Sequence, residues 1–425
     1  MNEYISYRET DCDWIGTIPS SWRLLRGRFL FRSIKEINHD MQCKNLLSLT
    51  YDGVLNKNFF GSEGLRPENY NTYQIFQKDN LVFKMIDLEN VKTSRVGIVH
   101  EKGIMSSAYI RFEVIKTKIE PKFAYWFYYD LYKKEIYNSI GSGVRSTLSS
   151  SDLLEMELPV PRLEEQKLIS SYLDNKTKQI DRLVEKTQKK IELLKEQRTA
   201  LINRYVTKGL DPNVEMKDSG VEWIGEIPKH WKISPMFTLF HENKMKNIEG
   251  RLDVLTLSYG KIKYRDLSKN EGLVPESFDG YQVMNIESLI IRSTDLQNDH
   301  KSLRVGHVGI EGVITSAYLG LNPKEQISTK YFYYLIHLAD LKKVLYGLGG
   351  GLRQSLRYDD FKRFPILNPH QHEREEIAET LDDIDNKTNI LIEKLNSRIN
   401  LLKEYRQSLI SSVVTGKVRV SEDML

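Results

Sequence analysis

The sequence contains very little cysteine. Only Cys12 and Cys43 occur among 425 residues. This excludes a disulfide-stapled secreted domain and is typical of a chain that folds in a reducing cytosol. The first residues carry neither the basic segment nor the apolar segment of a signal peptide. We therefore expect a cytoplasmic protein.

Long hydrophobic runs are also missing. A membrane-spanning helix needs ~18 or more consecutive apolar residues, and no segment approaches that length. Hydrophobic residues still make up 40% of the chain and aromatic residues 10%, which indicates a folded protein with a packed core. The sequence therefore predicts folded domains and no membrane segment.

Neither sign of charge dominates. Lys and Arg number 62 and Asp and Glu number 58, which gives a net charge of +4. Such a weakly basic balance permits a nucleic-acid partner but does not indicate one by itself.

Catalytic and cofactor motifs are missing as well. Gly416-Lys417 is followed by valine, not by the Ser or Thr of a phosphate-binding loop. The glycine clusters do not fit the dinucleotide fingerprint. A zinc-protease helix would need a second histidine where Glu376 stands. There is no Cys-x-x-Cys and no Asn-Pro-Pro-Tyr run. The sequence predicts no catalytic residue, no cofactor and no metal site.

The sequence does contain an internal repeat, in which one unit occurs twice. The segment 13–22 (DWIGTIPSSW) returns as 222–231 (EWIGEIPKHW), an offset of 209. The same offset, or 208, relates Ser107-Ala108-Tyr109 to Ser316-Ala317-Tyr318 and LLKE at 193–196 to LLKE at 401–404. A two-fold repeat predicts a pseudo-symmetric molecule that does one job at two places.

Each copy has a globular part and a helical part. Short apolar runs broken by turn residues, such as 46–51, 80–86, 254–259 and 287–292, predict strands. The segments 123–140 and 331–346 have apolar residues at helical spacing. We therefore predict two mixed α and β domains at 1–160 and 209–368, two long helices at 161–208 and 369–417, and a tail at 418–425.

The long helices carry a heptad pattern of apolar residues, which we call the seam. After Pro161 and Pro369, Gly and Pro disappear for roughly 45 residues, and proline is a natural helix start. Apolar residues then recur in steps of 4 and 3, with one doubled step of 4, which predicts a coiled coil about 54 Å long from Ile169 to Tyr205. The predicted interface comprises Ile180, Val184, Ile191, Leu194, Leu201, Ile392, Leu395, Ile399, Leu402 and Leu409.

The spacing alone permits parallel or antiparallel pairing of the two helices. Arg198 and Arg406 occupy seam positions in the two copies. They either fix the register of the coiled coil, as buried polar residues can, or extend their charges to its edge.

The combination of motifs resembles the specificity subunit of type I restriction–modification systems over essentially the whole chain. The motifs that carry the resemblance are the repeated WIGxIPxxW, GVRSTLxxxDL at 143–153 and LPVPRLEEQ at 158–166. The second copy of the last motif, PILNPHQHE at 365–373, lacks the family's usual Glu-Gln.

This resemblance implies a fold and a function. Each globular domain would be a target recognition domain that reads one half of a split duplex DNA sequence. The helices would form an antiparallel coiled coil that spaces the halves and docks partner subunits. Catalysis would lie in those partners, which are two adenine-N6 methyltransferase subunits that bind S-adenosylmethionine and an ATP-dependent restriction subunit. The chain itself would be non-catalytic.

Several basic residues are candidates for DNA contact. Arg145 and Arg353 follow glycine-rich loops that let backbone approach a phosphate, although each could instead pair with the acid seven residues later (Asp152 and Asp360). Arg95 and Arg304 recur before Val-Gly, either as phosphate contacts or as strand-edge residues. Tyr51 and Tyr259 recur at a strand end, as core residues or as contacts.

Positions that differ between the copies are candidates for base readout, since two halves usually read different bases. After the shared strand, copy one carries Asn56, Lys57 and Asn58, while copy two carries Lys261, Lys263, Tyr264 and Arg265. The competing interpretation of these residues is an ordinary solvated loop. The competing function for the chain is a coiled-coil scaffold that binds proteins and no DNA.

Overall fold

The computed structural model describes residues 3–57, 70–88, 94–141, 147–258, 260–267, 277–296, 303–348 and 355–424. The chain divides into two compact units. Unit 1 comprises Met1–Gln188 and Asn396–Leu425, and unit 2 comprises Lys189–Leu395. Each unit therefore combines one globular domain with a part of each long helix.

Short antiparallel strands build the globular domain of unit 1. They are β1 Tyr7–Glu9, β2 Thr17–Pro19, β3 Arg23–Arg26, β4 Phe31–Ser33, β5 Leu47–Thr50, β6 Gly53–Asn56, β7 Gln74–Phe76, β8 Leu81–Phe83, β9 Val96–Ile98, β10 Gly103–Met105, β11 Ile110–Val114 and β12 Glu157–Val160. One sheet has the order β4-β11-β8-β9, and the remaining strands pair as β1-β2, β3-β12, β5-β6 and β7-β10.

Unit 2 repeats this arrangement. Its strands are β13 Met216–Asp218, β14 Glu226–Pro228, β15 Lys232–Pro235, β16 Phe240–Glu242, β17 Leu255–Ser258, β18 Lys261–Tyr264, β19 Gln282–Met284, β20 Leu289–Ile291, β21 Val305–His307, β22 Gly312–Ile314, β23 Leu319–Pro323 and β24 Pro365–Asn368. The four-stranded sheet has the order β16-β23-β20-β21, and the pairs are β13-β14, β15-β24, β17-β18 and β19-β22.

Burial explains the strand patterns in the sequence. All three residues of β8 are buried, as are all three of β20, so these strands read as continuous apolar runs. By contrast, β5 alternates buried and half-buried residues, as expected of a strand that faces the core on one side only. The predicted strands at 46–51, 80–86, 254–259 and 287–292 are therefore present in shorter form.

Seven α-helices complete the described fold. They are α1 Pro121–Lys133, α2 Ile136–Ile140, α3 Ser150–Glu155, α4 Leu163–Lys208, α5 Lys330–Leu341, α6 Tyr358–Phe361 and α7 Gln371–Val414. The segments 123–140 and 331–346, which have apolar residues at helical spacing, do contain α1 and α5. In each segment the helix ends before the apolar spacing does, at a break that follows α1 or α5. The break lies at Glu135 (φ 57°) and at Lys343 (φ 62°). The turn that follows buries Tyr137 in unit 1 and Leu345 in unit 2.

The long helices begin two residues after their prolines and contain 46 and 44 residues. In unit 1, the start of α4 packs with the end of α7, since Ile169 and Leu173 share a core with Val413 and Val414. In unit 2, the end of α4 packs with the start of α7, through Ile202 and Val206 and the cluster of Ile377, Ala378 and Leu381. The two helices therefore run antiparallel within each unit.

Cross-helix contacts answer the question about the seam arginines. In unit 2, Arg198 donates to Asp385 Oδ1 and to Asn389 Oδ1, each at 3.0 Å. In unit 1, Arg406 Nε lies 2.9 Å from Asp181 Oδ1, and its guanidinium lies over the Trp126 ring at 5.9 Å. Both arginines are half-buried and paired with the opposite helix, which favours a role in register.

The predicted fold class is confirmed. The protein has two repeated domains of mixed α and β structure and two long helices.

Candidate nucleic-acid interface

The β5-β6 hairpin leads into the candidate base-reading residues of copy one, which lie at and after the end of β6. Thr50 Oγ1 donates to the Gly53 carbonyl at 3.0 Å and accepts from the Asp52 N–H at 3.1 Å, so the turn is closed by its own side chain. Lys57 is anchored by its backbone, which donates to the Leu46 carbonyl at 2.8 Å, and its side chain is exposed. Asn56 donates to Glu101 Oε1 at 2.7 Å. Asn58 lies outside the described residues.

The β17-β18 hairpin takes the same place in unit 2 with different side chains. Lys261 and Lys263 are exposed on alternate positions of β18, which puts them on one face of the strand. Arg265 is half-buried, and its backbone N–H donates to the Val254 carbonyl at 2.7 Å. Tyr264 is exposed, and its hydroxyl donates to the Glu311 carbonyl at 3.2 Å. The hairpin thus presents three basic side chains from an ordered backbone.

Two clefts meet beside this hairpin. The smaller cleft, about 490 Å³, is lined by Lys263, Tyr264, Arg265 and Tyr318 among others. The larger cleft, about 1060 Å³, shares Tyr318. Its basic lining residues are Lys244, Lys246, Arg357 and Lys362. We call the two clefts together the Tyr318 surface.

The Tyr318 surface contains more basic than acidic side chains. Its acids are Asp266, Glu242 and Asp359. Asp359 accepts from Lys362 Nζ at 2.7 Å, and Glu242 lies 3.6 Å from Lys244 Nζ. Both pairs are largely solvent-exposed, so they hold the lysines only weakly. A surface of this kind attracts polyanions.

The recurring Ser-Ala-Tyr motif forms the ridge between the clefts. Gln282 Nε2 donates to the carbonyls of Tyr318 and Thr315 at 2.7 and 3.2 Å. Ser316 Oγ donates to the Gly280 carbonyl at 2.6 Å. In unit 1, Gln74 makes the equivalent bonds to the carbonyls of Tyr109 and Ser106. The motif is shared because it is scaffold. Its recurrence is a second sequence signal for this surface, beside the differing residues of the β17-β18 hairpin.

Arg95 and Arg304 are buried against the backbone of neighbouring loops. Arg304 is fully buried and donates to the carbonyls of Arg292, Thr294 and Asp295 at 3.0, 2.8 and 2.9 Å. Arg95 is 2% exposed and donates to Ile86 and Asp87 carbonyls at 3.1 and 2.7 Å. Burial lowers the pKa of the Arg95 guanidinium. These geometries fit the structural alternative, because the guanidinium groups hold loop backbone and do not face solvent.

Arg145 and Arg353 lie outside the described residues, as does Tyr259. Asp152 and Asp360, the acids that the sequence offers as their partners, each lie near the start of a helix. Asp152 accepts from the Ser149 N–H at 2.8 Å at the start of α3, and Asp360 accepts from the Arg357 N–H at 3.1 Å at the start of α6. Both carboxylates therefore satisfy helix ends. Tyr51 is 58% exposed, which fits the contact alternative better than the core alternative.

The predicted coiled-coil residues are all withdrawn from solvent to some degree. Five are buried, namely Ile180, Ile191, Leu395, Ile399 and Leu409. The other five are half-buried, namely Val184, Leu194, Leu201, Ile392 and Leu402. Their neighbours on the opposite helix face are exposed, as expected of a two-helix seam.

A buried arginine distinguishes the two domains. In unit 1, Arg111 on β11 donates to Glu36 at 2.9 Å and to Asn80 at 2.7 Å. The equivalent residue of β23 is Gly320, where an added Cβ would meet Gln282 Oε1 at 2.5 Å. Asn243 instead donates to that oxygen at 3.1 Å and to the Val283 carbonyl at 2.8 Å. One scaffold therefore carries different polar interiors next to its ridge.

A charged cap supports the helix α5 beside the sheet of unit 2. Glu287 accepts from the Thr329 N–H at 2.6 Å and lies 3.2 Å from His307 Nε2. Burial raises the pKa of Glu287, but the hydrogen bonds from His307 and Thr329 outweigh that effect and hold the pKa at about 2, below its ordinary 4.5.

None of the described helices combines the length and apolar character that crossing a bilayer requires. Within the described ranges, no group of three or more His, Cys, Asp or Glu side chains is placed to hold a metal ion.

Comparisons with known proteins agree with this architecture. Two curated relatives come from Methanocaldococcus jannaschii. The type I restriction enzyme MjaVIII specificity subunit is 26% identical over 372 residues, which covers 82% of this chain and 81% of that protein. The putative type I restriction enzyme MjaX specificity subunit is 25% identical over 322 residues, which covers 72% of this chain and 70% of that protein.

Solved structures share the fold. A structure described under complex assembly and conformational transition of the type I R-M system has a TM-score of 0.66 at 15% identity and covers 94% of this chain and 99% of its own. The HsdS subunit from Thermoanaerobacter tengcongensis has a TM-score of 0.55 at 13% identity, with 94% and 98% covered.

The family described as Type I restriction modification DNA specificity domain matches residues 49–193 and 252–401, one segment in each copy of the repeat. Because these segments make up more than half of the sequence, this chain belongs to the type I restriction–modification DNA specificity family.

Proposed function

We propose that the chain is a non-catalytic specificity subunit that recognises a bipartite DNA target, with one half-site for each globular domain. The observation that carries the proposal is the contrast between shared scaffold and different surface. The two domains repeat one strand order, yet the equivalent hairpins carry Asn56 and Lys57 in one domain and Lys261, Lys263 and Arg265 in the other. Different side chains on one scaffold would read different bases.

The chemistry of the Tyr318 surface supports a duplex as the ligand. Lysine and arginine side chains on exposed strands and loops neutralise phosphates. Arg265 and Lys263 have the donor groups that pair with guanine O6 and N7 in the major groove. We assign the lysines of the larger cleft to phosphate contacts and the hairpin of β17-β18 to base readout.

Exposed leucines on the long helices support the docking of partner subunits. Leu183 and Leu391 occupy equivalent positions and are 42% and 37% exposed, and Leu193 and Leu401 are 54% and 65% exposed. Apolar side chains on the outer face of a paired helix are typical of a surface that another helix covers. We propose methyltransferase subunits and an ATP-dependent restriction subunit as these partners, which would supply the catalysis.

A scaffold that binds only proteins is the competing function. The two functions differ in salt dependence, because phosphate neutralisation makes DNA affinity fall steeply as salt rises. We would measure binding of the chain, assembled with its methyltransferase subunits, to duplex DNA between about 50 and 200 mM salt. A linear fall of log affinity with log salt that weakens when Lys246, an exposed lysine of the larger cleft, is replaced by Ala supports the proposal. No difference between the assembled complex and the methyltransferase subunits alone supports the scaffold.

A further inference from the structure

A loop of unit 2 presents an unusual set of exposed apolar side chains. Met245 is 50% exposed, Leu252 is 70% exposed and Ile248, at the tip, is 88% exposed. A soluble domain usually covers large aliphatic residues or scatters them singly. Three within eight residues indicate that this loop meets another molecule.

Hydrogen bonds of a buried side chain at its base hold the loop in one conformation. Asn247 is 1% exposed, and its side chain accepts from the Arg251 N–H at 2.8 Å and donates to the carbonyls of Arg251 and Phe278 at 3.0 and 3.1 Å. Gly250 takes a positive φ of 65° to close the turn. A loop ordered in this way would insert its tip without a large entropy cost.

The surroundings of the loop are basic. Lys244 and Lys246 precede the tip and line the larger cleft of the Tyr318 surface. The Asn247 N–H donates to the carbonyl of Tyr281 at 3.0 Å, and Tyr281 lines the smaller cleft together with Lys263. The base of the loop therefore joins both clefts, and its apolar tip rises from the surface assigned to DNA.

We propose that Ile248 acts as an apolar wedge that enters between two stacked base pairs of the half-site bound by unit 2. This rests on the proposed function. Isoleucine, leucine and methionine are residue types that unstack a base step from the minor groove and bend the duplex. The bend would bring the flanking phosphates towards Lys244 and Lys246. Glu249 beside the tip would have to stay on the solvent side of the entering Ile248, because the phosphates of both strands repel it.

Copy one lacks the wedge although it has the same loop. Asn38 is buried and makes the matching bonds, accepting from the Cys43 N–H at 2.8 Å and donating to the Cys43 carbonyl at 2.9 Å. The exposed residues of that loop are His39, Asp40, Gln42 and Lys44, which are all polar. Only the half-site of unit 2 would therefore be unstacked. Because the energy of unstacking depends on the sequence of the base step, the wedge would add specificity at bases that the protein does not contact directly.

The test uses the chain assembled with its methyltransferase subunits on duplex DNA that contains its methylated motif. 2-Aminopurine is placed at successive positions of both half-sites, except at the methylated adenine, and its fluorescence reports unstacking. We expect a rise at one step in the half-site of unit 2. Ile248→Ala should abolish the rise and weaken binding by about tenfold, because the duplex then lacks the contacts that the wedge makes when the step is unstacked. Ile248→Phe should keep the rise.

Ile286→Ala is the matched control, because Ile286 is another exposed isoleucine of unit 2 (53%) outside the Tyr318 surface. It should behave as wild type. The wedge is rejected if Ile248→Ala leaves fluorescence and affinity unchanged while the split motif is still methylated, and the proposed function then stands. It is also rejected if Ile248→Ala prevents assembly with the methyltransferase, which would make the loop a protein contact. Absence of any split motif in wild type would overturn the proposed function itself.

Discussion

Gly416, just beyond the end of α7, lies against the indole of Trp22. A Cβ at Gly416 would be 3.2 Å from Trp22 Cη2. Unit 2 repeats the relationship at the end of α4, where a Cβ at Gly209 would be 3.4 Å from Trp231 Cζ2. Both tryptophans close the recurring WIGxIPxxW motif and are almost fully buried. Each globular domain therefore contacts the end of a long helix through this motif.

The first prediction concerns this junction. Gly416→Ala should destabilise unit 1 by about 2–4 kcal/mol, because the backbone has a positive φ of 75° and the new Cβ would also lie 2.5 Å from Pro19 Cγ. Gly16→Ala in the same unit is the control, since φ is 69° but nothing lies within 4 Å of the added Cβ. Urea unfolding measures both. Equal losses would show that the packing against Pro19 and Trp22 contributes nothing.

The second prediction concerns the register of the helices in unit 2. Arg198 is ion-paired with Asp385 across the helices at 3.0 Å, and both side chains are about three-quarters buried. A double-mutant cycle with Arg198→Met and Asp385→Asn should give a coupling energy of about 0.5–1.5 kcal/mol in thermal or urea unfolding. A coupling energy of zero would favour an arginine that only extends its charge to the edge of the seam.

The third prediction compares a buried basic residue with an exposed one, by the effect of each substitution on stability and on the salt dependence of DNA binding. Arg304→Met should lower the free energy of unfolding by at least about 2 kcal/mol, because several carbonyls lose a charged donor. The salt dependence of DNA binding by the folded protein should stay unchanged. Lys246→Ala, at an exposed lysine of the larger cleft, should do the reverse, with unchanged unfolding and a reduced salt slope. The assignment fails if Arg304→Met alters the salt slope while Lys246→Ala does not.

The fourth prediction concerns pH. The folded-state pKa of Glu287 is about 2, below its unfolded value near 4.5, so its carboxylate contributes stability that is present above about pH 4.5 and is lost as the pH falls towards 2. The difference in unfolding free energy between wild type and Glu287→Gln should therefore be constant near neutral pH and shrink in acid. Glu325→Gln, at an exposed residue of the same unit, should give no such change. A Glu287 difference that keeps its full neutral-pH value at pH 3 would contradict the cap.

Much of the architecture could be predicted from local patterns. The repeat, the strand at 46–51 and the two long helices all follow from periodicity and from turn residues. The helix breaks at Glu135 and Lys343 could not be predicted, because neither residue is a breaker by type. The left-handed backbone there is held by the burial of Tyr137 and Leu345.

The candidate site was harder to predict, for a physical reason. Arg95, Arg304 and Lys263 are all basic residues in strand-like surroundings, and their sequence patterns do not distinguish a buried donor from an exposed one. Burial depends on which loop folds over the guanidinium, and that is a long-range contact. The Tyr318 surface and the loop closed by Asn247 also arise from segments far apart in the chain. Comparison of the two copies was the useful signal, since it separated shared scaffold from differing surface.

The central claim is that this chain chooses the DNA sequence and that each globular domain reads one half of it. The most direct test maps N6-methyladenine across a genome when the chain is expressed with its methyltransferase subunits, when it is deleted, and when residues 1–160 are exchanged for those of a relative. We predict one split motif with a fixed gap, its loss on deletion, and a change in one half only after the exchange. Methylation that survives the deletion, or an exchange that alters both halves, would contradict the account.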